Sequence, residues 1–247
     1  MKLYTLQEHL LELKARIFRI FFIFFVIFGI CYYCSDYIYN FLLQPLANLE
    51  ADLSHNNVRK IIYTRLTEAF FTYIKLAAFS AFVIIIPVIT IECYLFISPG
   101  LYRSEKRIAA FILFMSPILF WSGSIFVFYL VMPQAWRFFL SFEQHDVIMP
   151  IILEAKISEY LSLVIQLIIA FGISFQLPII LLILNLLKII KVQELKNKRR
   201  LAVVINFIIA GILTPPDIIS QITLALPLLL LYEISIVMCQ FVENRGK

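Results

Sequence analysis

The residues of this chain that could do chemistry are charged side chains at the ends of apolar runs. Glu105 lies in a charged island at residues 98–107, beside the cations Arg103, Lys106 and Arg107. Its simplest role is to balance the charge of these neighbours, and a binding role is the alternative. Because long apolar runs border the island on both sides, we predict that it is a short loop at a membrane surface.

The sequence does not predict enzyme chemistry. Its three histidines, His9, His55 and His145, are far apart, so no metal cluster is indicated. It has no glycine-rich phosphate loop and no nucleophile elbow. It also has no pair of carboxylates deep in facing spans, which a proton relay requires. We therefore predict no enzyme activity, no metal and no cofactor.

The composition places the charged island in a membrane protein. The 247 residues are 62% hydrophobic, with a mean hydropathy of +0.93, whereas the apolar share of a soluble domain is about 45–50%. A run of about 20 apolar residues crosses the hydrocarbon layer as a helix. The sequence therefore predicts an all-α integral membrane protein with one six-span domain, residues 1–247. The spans are predicted at approximately 17–37, 68–96, 108–132, 160–187, 201–213 and 218–235.

The distribution of cations predicts the orientation. Fifteen of the 21 lysines and arginines lie in segments that six spans put on one side, and five lie on the other. Because the cytoplasmic side is the richer in Lys and Arg, we predict that both termini are cytoplasmic. The membrane is interpreted as a bacterial inner membrane, with an organelle-encoded copy as the alternative. Lys75, within the second span, is interpreted as a structural cation that reaches the near interface.

Local patterns add detail near the span ends. Glu12 and Arg16 are four residues apart in the favourable order, a helix pair that contributes about 0.2–0.5 kcal/mol. Trp136, in the predicted loop 133–159, is interpreted as an interface anchor. The fifth and sixth spans are predicted to be short, because 13 residues rise only roughly 20 Å. An amphipathic amino-terminal helix is predicted from an apolar stripe at Leu3, Leu6, Leu10, Leu13 and Ile17.

Several blocks of the sequence resemble one known family. This is the TatC family, the large subunit of the twin-arginine protein translocase. The resemblance covers all six predicted spans in the family's order. The blocks are HLLELKAR at 9–16, FFTYIKL at 70–76, FISPGLYRSEKR at 96–107, FGISFQLP at 171–178 and LTPPD at 213–217.

The resemblance implies a function and a set of site residues. TatC-like proteins bind export signal peptides that carry two consecutive arginines. With the single-span partners TatA and TatB, they then pass folded proteins outward, driven by the proton gradient. By this resemblance Glu12, Glu105, Phe96 and Arg16 would form the signal-peptide site. Further candidate functional positions are Pro45, Lys75, Pro99, Leu101, Tyr102, Gln176 and Asp217.

The chain departs from the family pattern at a few positions, and two other classes of protein stay open. Gln176 stands where the family often has Glu, and Glu92 stands where it usually has Gln. A hydrogen-bonding role is therefore expected at Gln176 instead of an essential carboxylate. A small-solute transporter would need internal repeats and a charged midplane site, which the sequence lacks. A structural scaffold would leave Glu12 and Glu105 without a joint purpose.

Overall fold

A computed structural model of the chain describes residues 6–53, 62–100, 103–143, 154–213 and 218–245. These residues form ten α-helices, together with a 3₁₀ turn at Ser98–Gly100 and a π-helical turn at Val127–Val131. The helices are α1 Leu6–Tyr33, α2 Ser35–Leu53, α3 Glu68–Ile97, α4 Arg103–Phe126, α5 Met132–Leu140, α6 Ile157–Ser174, α7 Leu177–Leu186, α8 Val192–Asn197, α9 Arg199–Leu213 and α10 Ile218–Arg245.

Five helical stretches are long and apolar enough to cross a membrane, among the residues that the structure describes. They are Leu10–Tyr33, Glu68–Ile97, Lys106–Leu140, Ile157–Leu186 and Leu224–Glu243. The predicted fifth span corresponds to α9, which has only 15 residues. A full crossing needs about 20 residues, so α9 is as short as the sequence suggested.

The chain divides into two compact units. The first comprises Met1–Phe41 and Arg65–Ile118, and the second comprises Leu42–Thr64 and Leu119–Lys247. The first unit is built on an antiparallel pair of helices, α1 and α3. The second unit is built mainly on α6, α7, α9 and α10.

Small side chains allow α1 and α3 to pack closely in the first unit. Cys31 of α1 is buried together with Ala77 and Ala81 of α3, and both alanines are inaccessible to solvent. Because the alanines lie one turn apart, they present small side chains to α1 along one face of α3. Small residues at the interface are usual where helices pack in lipid. Phe24 and Phe28 stack at a centroid distance of 6.4 Å and pack against this core.

Aromatic rings pack closely in the second unit, next to a glycine of α6. Phe126 at the end of α4 lies against Phe171 and Phe175, at centroid distances of 6.0 and 5.9 Å. Gly172 of α6 lies directly against the Phe120 ring, which a Cβ at this position would overlap. The absence of side-chain bulk at position 172 therefore permits this close approach of α6 to Phe120.

Several helices begin earlier or run longer than the predicted spans. The amino-terminal amphipathic segment is continuous with the first span in α1, so it is not a separate helix. The segment between the first two predicted spans is partly helical, because the 19-residue helix α2 begins at Ser35 and ends at Leu53. The charged island is also largely helical, since α4 begins at Arg103. The prediction of a loop throughout 98–107 was therefore wrong.

One further interpretation of the sequence was wrong in the second unit. Trp136 is buried on α5, and its ring stacks on Tyr160 at 4.8 Å with an interplanar angle of 9°. It is part of the core and not an interface anchor. The helix that contains the predicted sixth span is longer than that span, because α10 continues through Glu233 to Arg245 as a 28-residue helix. Arg199 pairs with Glu233 at 2.7 Å, so this charge does not mark the end of the helix.

Candidate functional site: an arginine–carboxylate cluster

Four charged side chains of α1 and α3 form one connected cluster in the first unit. The Arg16 guanidinium donates from Nε and Nη2 to Glu12 Oε1, at 3.1 and 2.6 Å. It also donates from Nη1 to Glu92 Oε2 at 2.8 Å. Arg19 Nη1 donates to the other oxygen of Glu92, Oε1, at 2.7 Å. The predicted pair of Glu12 with Arg16 is thereby confirmed.

The helical repeat explains why these side chains meet. Glu12, Arg16 and Arg19 are spaced by four and three residues, which puts them on one face of α1. Glu92 lies near the carboxyl end of α3, which runs antiparallel to α1. Residues 76–96 contain no other charge. An ion in such a run requires a partner, since an unpaired charge in the membrane is expensive.

Burial differs strongly within the cluster. The Glu92 side chain is 8% exposed and that of Arg16 is 16% exposed, whereas Arg19 is 55% exposed. Glu12 lies between these limits at 28%. Arg16 and Glu92 therefore form the desolvated centre. Two carboxylates face two guanidiniums, so their formal charges cancel and the centre is compensated.

The chemistry of the cluster is arginine binding. A guanidinium is always charged and offers a planar fork of donors that matches a carboxylate. Glu92 takes one arginine on each of its two oxygens, and Glu12 takes two donors of the same guanidinium on a single oxygen. This part of the protein can hold arginine side chains at short distance. Among the residues that the structure describes, no His/Cys/Asp/Glu group could hold a metal ion.

The other predicted residues of the signal-peptide site lie close by in sequence. Phe96 is half-buried on α3, one turn beyond Glu92. Pro99 is exposed in the 3₁₀ turn that follows α3. Leu101 and Tyr102 lie outside the described residues. Glu105 is the third residue of α4, and its side chain also lies outside the description.

The remaining candidate positions are distributed over both units. Lys75 is exposed, two turns inside α3. Pro45 is buried within α2. Gln176 is half-buried at the break between α6 and α7, where its carbonyl accepts the amides of Ile179 and Ile180 at 3.0 Å. Asp217 lies outside the described residues. The structure thus brings together Glu12 and Arg16 among the predicted site residues, and it adds Glu92 and Arg19.

Sequence reasoning noticed Glu92 but missed its partners. Its pairing with Arg16 and Arg19 spans 76 and 73 residues, a separation that no local pattern encodes. One signal could have found it. A lone carboxylate in a 21-residue apolar run needs a cation at the same depth, and Arg16 and Arg19 at the entry of the first span are among the candidates.

These features define a multi-pass, all-helical membrane protein with an internal arginine–carboxylate cluster. The family model for the Sec-independent protein translocase protein TatC matches residues 8–227. The chain therefore belongs to the TatC family, and it is a component of a protein translocase.

Relatives and solved structures agree along nearly the whole length. The chain is 74% identical to the TatC protein of Rickettsia prowazekii (strain Madrid E), covering 99% of this chain and 96% of that one. It is 34% identical to TatC of Aquifex aeolicus (strain VF5), over 98% and 97% of the two chains. A crystal structure of the twin arginine translocase receptor TatC in DDM superposes with a TM-score of 0.73. That protein is 34% identical, and the match covers 94% of this chain and 99% of that one.

Proposed function

We propose that this chain binds twin-arginine signal peptides at its cytoplasmic face, through Glu12 and Glu105 with Phe96 and Arg16. The solved relatives are described as twin arginine translocase receptors. Glu12 lies on α1, and Glu105 lies at the start of α4. Two carboxylates on two helices offer acceptors to the incoming arginine pair, and Glu12 would share its charge with Arg16.

The observation that carries this proposal is the pairing of Arg16 with two carboxylates. Its guanidinium already occupies Glu12 at 2.6 Å and Glu92 at 2.8 Å. Carboxylates in this part of the protein thus accept the functional group that a signal peptide would present twice. Phe96, one turn from Glu92 on α3, supplies an apolar contact for the residues that follow the arginine pair.

The proposal includes the rest of the translocase cycle. TatA and TatB are the single-span partners, precursor proteins with twin-arginine signals are the cargo, and the proton motive force drives export. The chain lies in the inner membrane with six spans, α9 being the short fifth one, and with both termini cytoplasmic. The excess of 15 cations over five on the two sides supports this orientation.

The direct test is Glu105→Gln, which removes the charge and keeps the size of the side chain. A hydrogen bond to a charged group contributes about 1.5–3 kcal/mol, and the predicted position at the membrane surface favours the lower end. We therefore expect signal-peptide affinity to fall by roughly tenfold. Glu105→Arg is expected to be worse, because it adds repulsion. The measurement is crosslinking of a twin-arginine peptide to membranes at matched expression.

Glu154→Gln is the matched control, because this exposed carboxylate lies in the loop that the orientation puts outside. It should bind peptide as the parent does. A peptide in which both arginines are lysines should lose crosslinking to every variant. If Glu105→Gln binds like the parent, the recognition site is elsewhere.

The orientation is tested separately with single cysteines. Replacements at Ser104 and Asn197 should react only with a reagent on the cytoplasmic side. A replacement at Asn56 should react only with an external reagent. External labelling at position 197 would contradict the proposed topology.

A further inference from the structure

A pocket with a mixed polar and apolar lining lies in the first unit, far from the arginine–carboxylate cluster. It has a volume of about 540 Å³ and is formed where α1 ends and where α2 and α3 begin. This volume lies within the range of small-molecule sites, about 300–1,000 Å³. Tyr32 in the wall is 16 residues beyond Arg16, which is roughly 24 Å along α1. The pocket is therefore at the opposite end of the helix pair.

The pocket has the chemistry of a cation site. Asp36 lines the pocket together with the aromatic residues Tyr32, Phe70 and Tyr73. Aromatic faces attract cations through their quadrupole, and the carboxylate adds a full negative charge. The carboxylate also accepts hydrogen bonds, which a primary ammonium can donate and a quaternary ammonium cannot.

Neighbouring side chains hold this lining in place. The Tyr73 hydroxyl hydrogen-bonds to the Asp36 carboxylate. The Tyr73 ring packs on Tyr39 at a centroid distance of 5.9 Å, and Tyr32 stacks on Phe28 at 6.4 Å. The cation-binding groups are thus pre-organised, which reduces the entropy lost on binding.

The surroundings favour a lipid over a soluble amine. The pocket includes Gly29 and borders a stripe of exposed apolar residues on α1, Phe22, Phe25 and Val26, which precede Gly29 at helical spacing. A Cβ on Gly29 would meet nothing within 4 Å, so the pocket is open toward this stripe. Acyl chains can lie along the stripe while the headgroup enters the pocket. The Tyr33 and Ser35 hydroxyls, also in the lining, can donate to a phosphate.

We propose that this pocket binds a phospholipid whose headgroup carries a primary ammonium. The ammonium contacts Asp36 and the aromatic faces, the phosphate takes the hydroxyl donors, and the acyl chains cover the apolar stripe of α1. This role goes beyond signal-peptide binding, and it makes the lipid a ligand of the α1–α3 pair.

The test is a lipid titration of the purified full-length chain in detergent, read by native mass spectrometry. The three probes are phosphatidylethanolamine, phosphatidylcholine and phosphatidylglycerol. The cation of phosphatidylcholine cannot donate a hydrogen bond, and the headgroup of phosphatidylglycerol has no cation. We expect phosphatidylethanolamine to bind about tenfold more strongly than phosphatidylglycerol. Phosphatidylcholine should fall between them. Soluble phosphoethanolamine should not compete at the same concentration, because it lacks acyl chains.

Two variants address the pocket in different ways. Asp36→Asn keeps an acceptor for Tyr73 and should abolish the preference for phosphatidylethanolamine. Gly29→Leu keeps the charge, fills the open side and should weaken the binding of all three lipids. Glu154→Gln, an equal loss of charge in the other unit, should leave the preference intact.

Three results would overturn the proposal. A preference unchanged in Asp36→Asn would show that the carboxylate is not the ligand. Unchanged binding to Gly29→Leu would place the lipid outside this pocket. Equal competition by soluble phosphoethanolamine would mean that the ligand is a soluble amine. Thermal unfolding of each variant near the parent temperature provides the check on folding.

Discussion

The cluster and one surface ion pair allow a direct test of how burial strengthens an arginine–carboxylate contact. Arg16 and Glu92 meet at 2.8 Å with side chains 16% and 8% exposed. Arg199 and Glu233 meet at 2.7 Å, but both side chains are about half exposed, at 51% and 52%. The contacts are almost equal in length, but the Arg16–Glu92 pair is buried and also contacts Glu12 and Arg19.

The expected magnitudes differ by several-fold. For the buried pair, a charged hydrogen bond contributes about 1.5–3 kcal/mol. For the exposed pair, solvent screening and side-chain entropy leave about 0.2–1 kcal/mol. Glu92→Gln alone should be more destabilising than its coupling energy, because it leaves Arg16 desolvated with Glu12 as its remaining partner. Removing one partner of a buried pair costs about 3–5 kcal/mol in general, and Glu12 should reduce that figure.

The assay is a double-mutant cycle for each pair. Glu92→Gln, Arg16→Gln and their combination form the first cycle, and Glu233→Gln, Arg199→Gln and their combination form the second. Free energies of unfolding are measured in mixed micelles under conditions of reversible unfolding, and the coupling energy is taken from the four proteins of each cycle. If the two coupling energies agree within about 0.5 kcal/mol, the reasoning from burial is refuted.

Two further predictions follow from contacts in the second unit. Gly172→Ala should destabilise the protein by about 1–3 kcal/mol in the same unfolding assay, because the new methyl group meets the Phe120 ring. Gly29→Ala is the control, because Gly29 has open space around it, and this variant should be neutral or stabilising. Gln176→Leu removes a polar group at the break between α6 and α7. It should leave folding and signal-peptide binding unchanged but weaken crosslinking to TatA. Unchanged crosslinking would assign Gln176 a structural role only.

Apolar runs predicted the spanning helices well because burial in lipid depends on local composition. They predicted helix ends poorly, since polar residues also extend helices beyond the hydrocarbon layer. Arg103 begins α4 although it lies in a charged island, and Glu233 lies in the middle of α10. Helix α2 was missed for the same reason, because its sequence is too polar for a span and still forms a helix.

Contacts between segments that are distant in the sequence explain why the site could be predicted only in part. Glu12 and Arg16 are one helical turn apart, so their pair could be predicted from spacing alone. Glu92 reaches Arg16 and Arg19 only through the packing of α1 on α3, where Ala77 and Ala81 allow the close approach. Trp136 was misplaced because its stacking partner, Tyr160, belongs to another helix. The periodicity of a single sequence does not show which residues of different helices will be in contact.

The compensated charge of the cluster has a consequence for the proposed recognition of signal peptides. Glu12 binds Arg16 through Nε and Nη2 on one oxygen, and Glu92 has an arginine on each oxygen. The field of these two carboxylates is therefore largely cancelled before any peptide arrives. An incoming arginine can share Glu12 only by adding a second guanidinium next to Arg16, which the two positive charges oppose. In the proposed site, we therefore expect the attraction for a twin-arginine peptide to come mainly from Glu105, and substitutions there should weaken binding more than the same changes at Glu12.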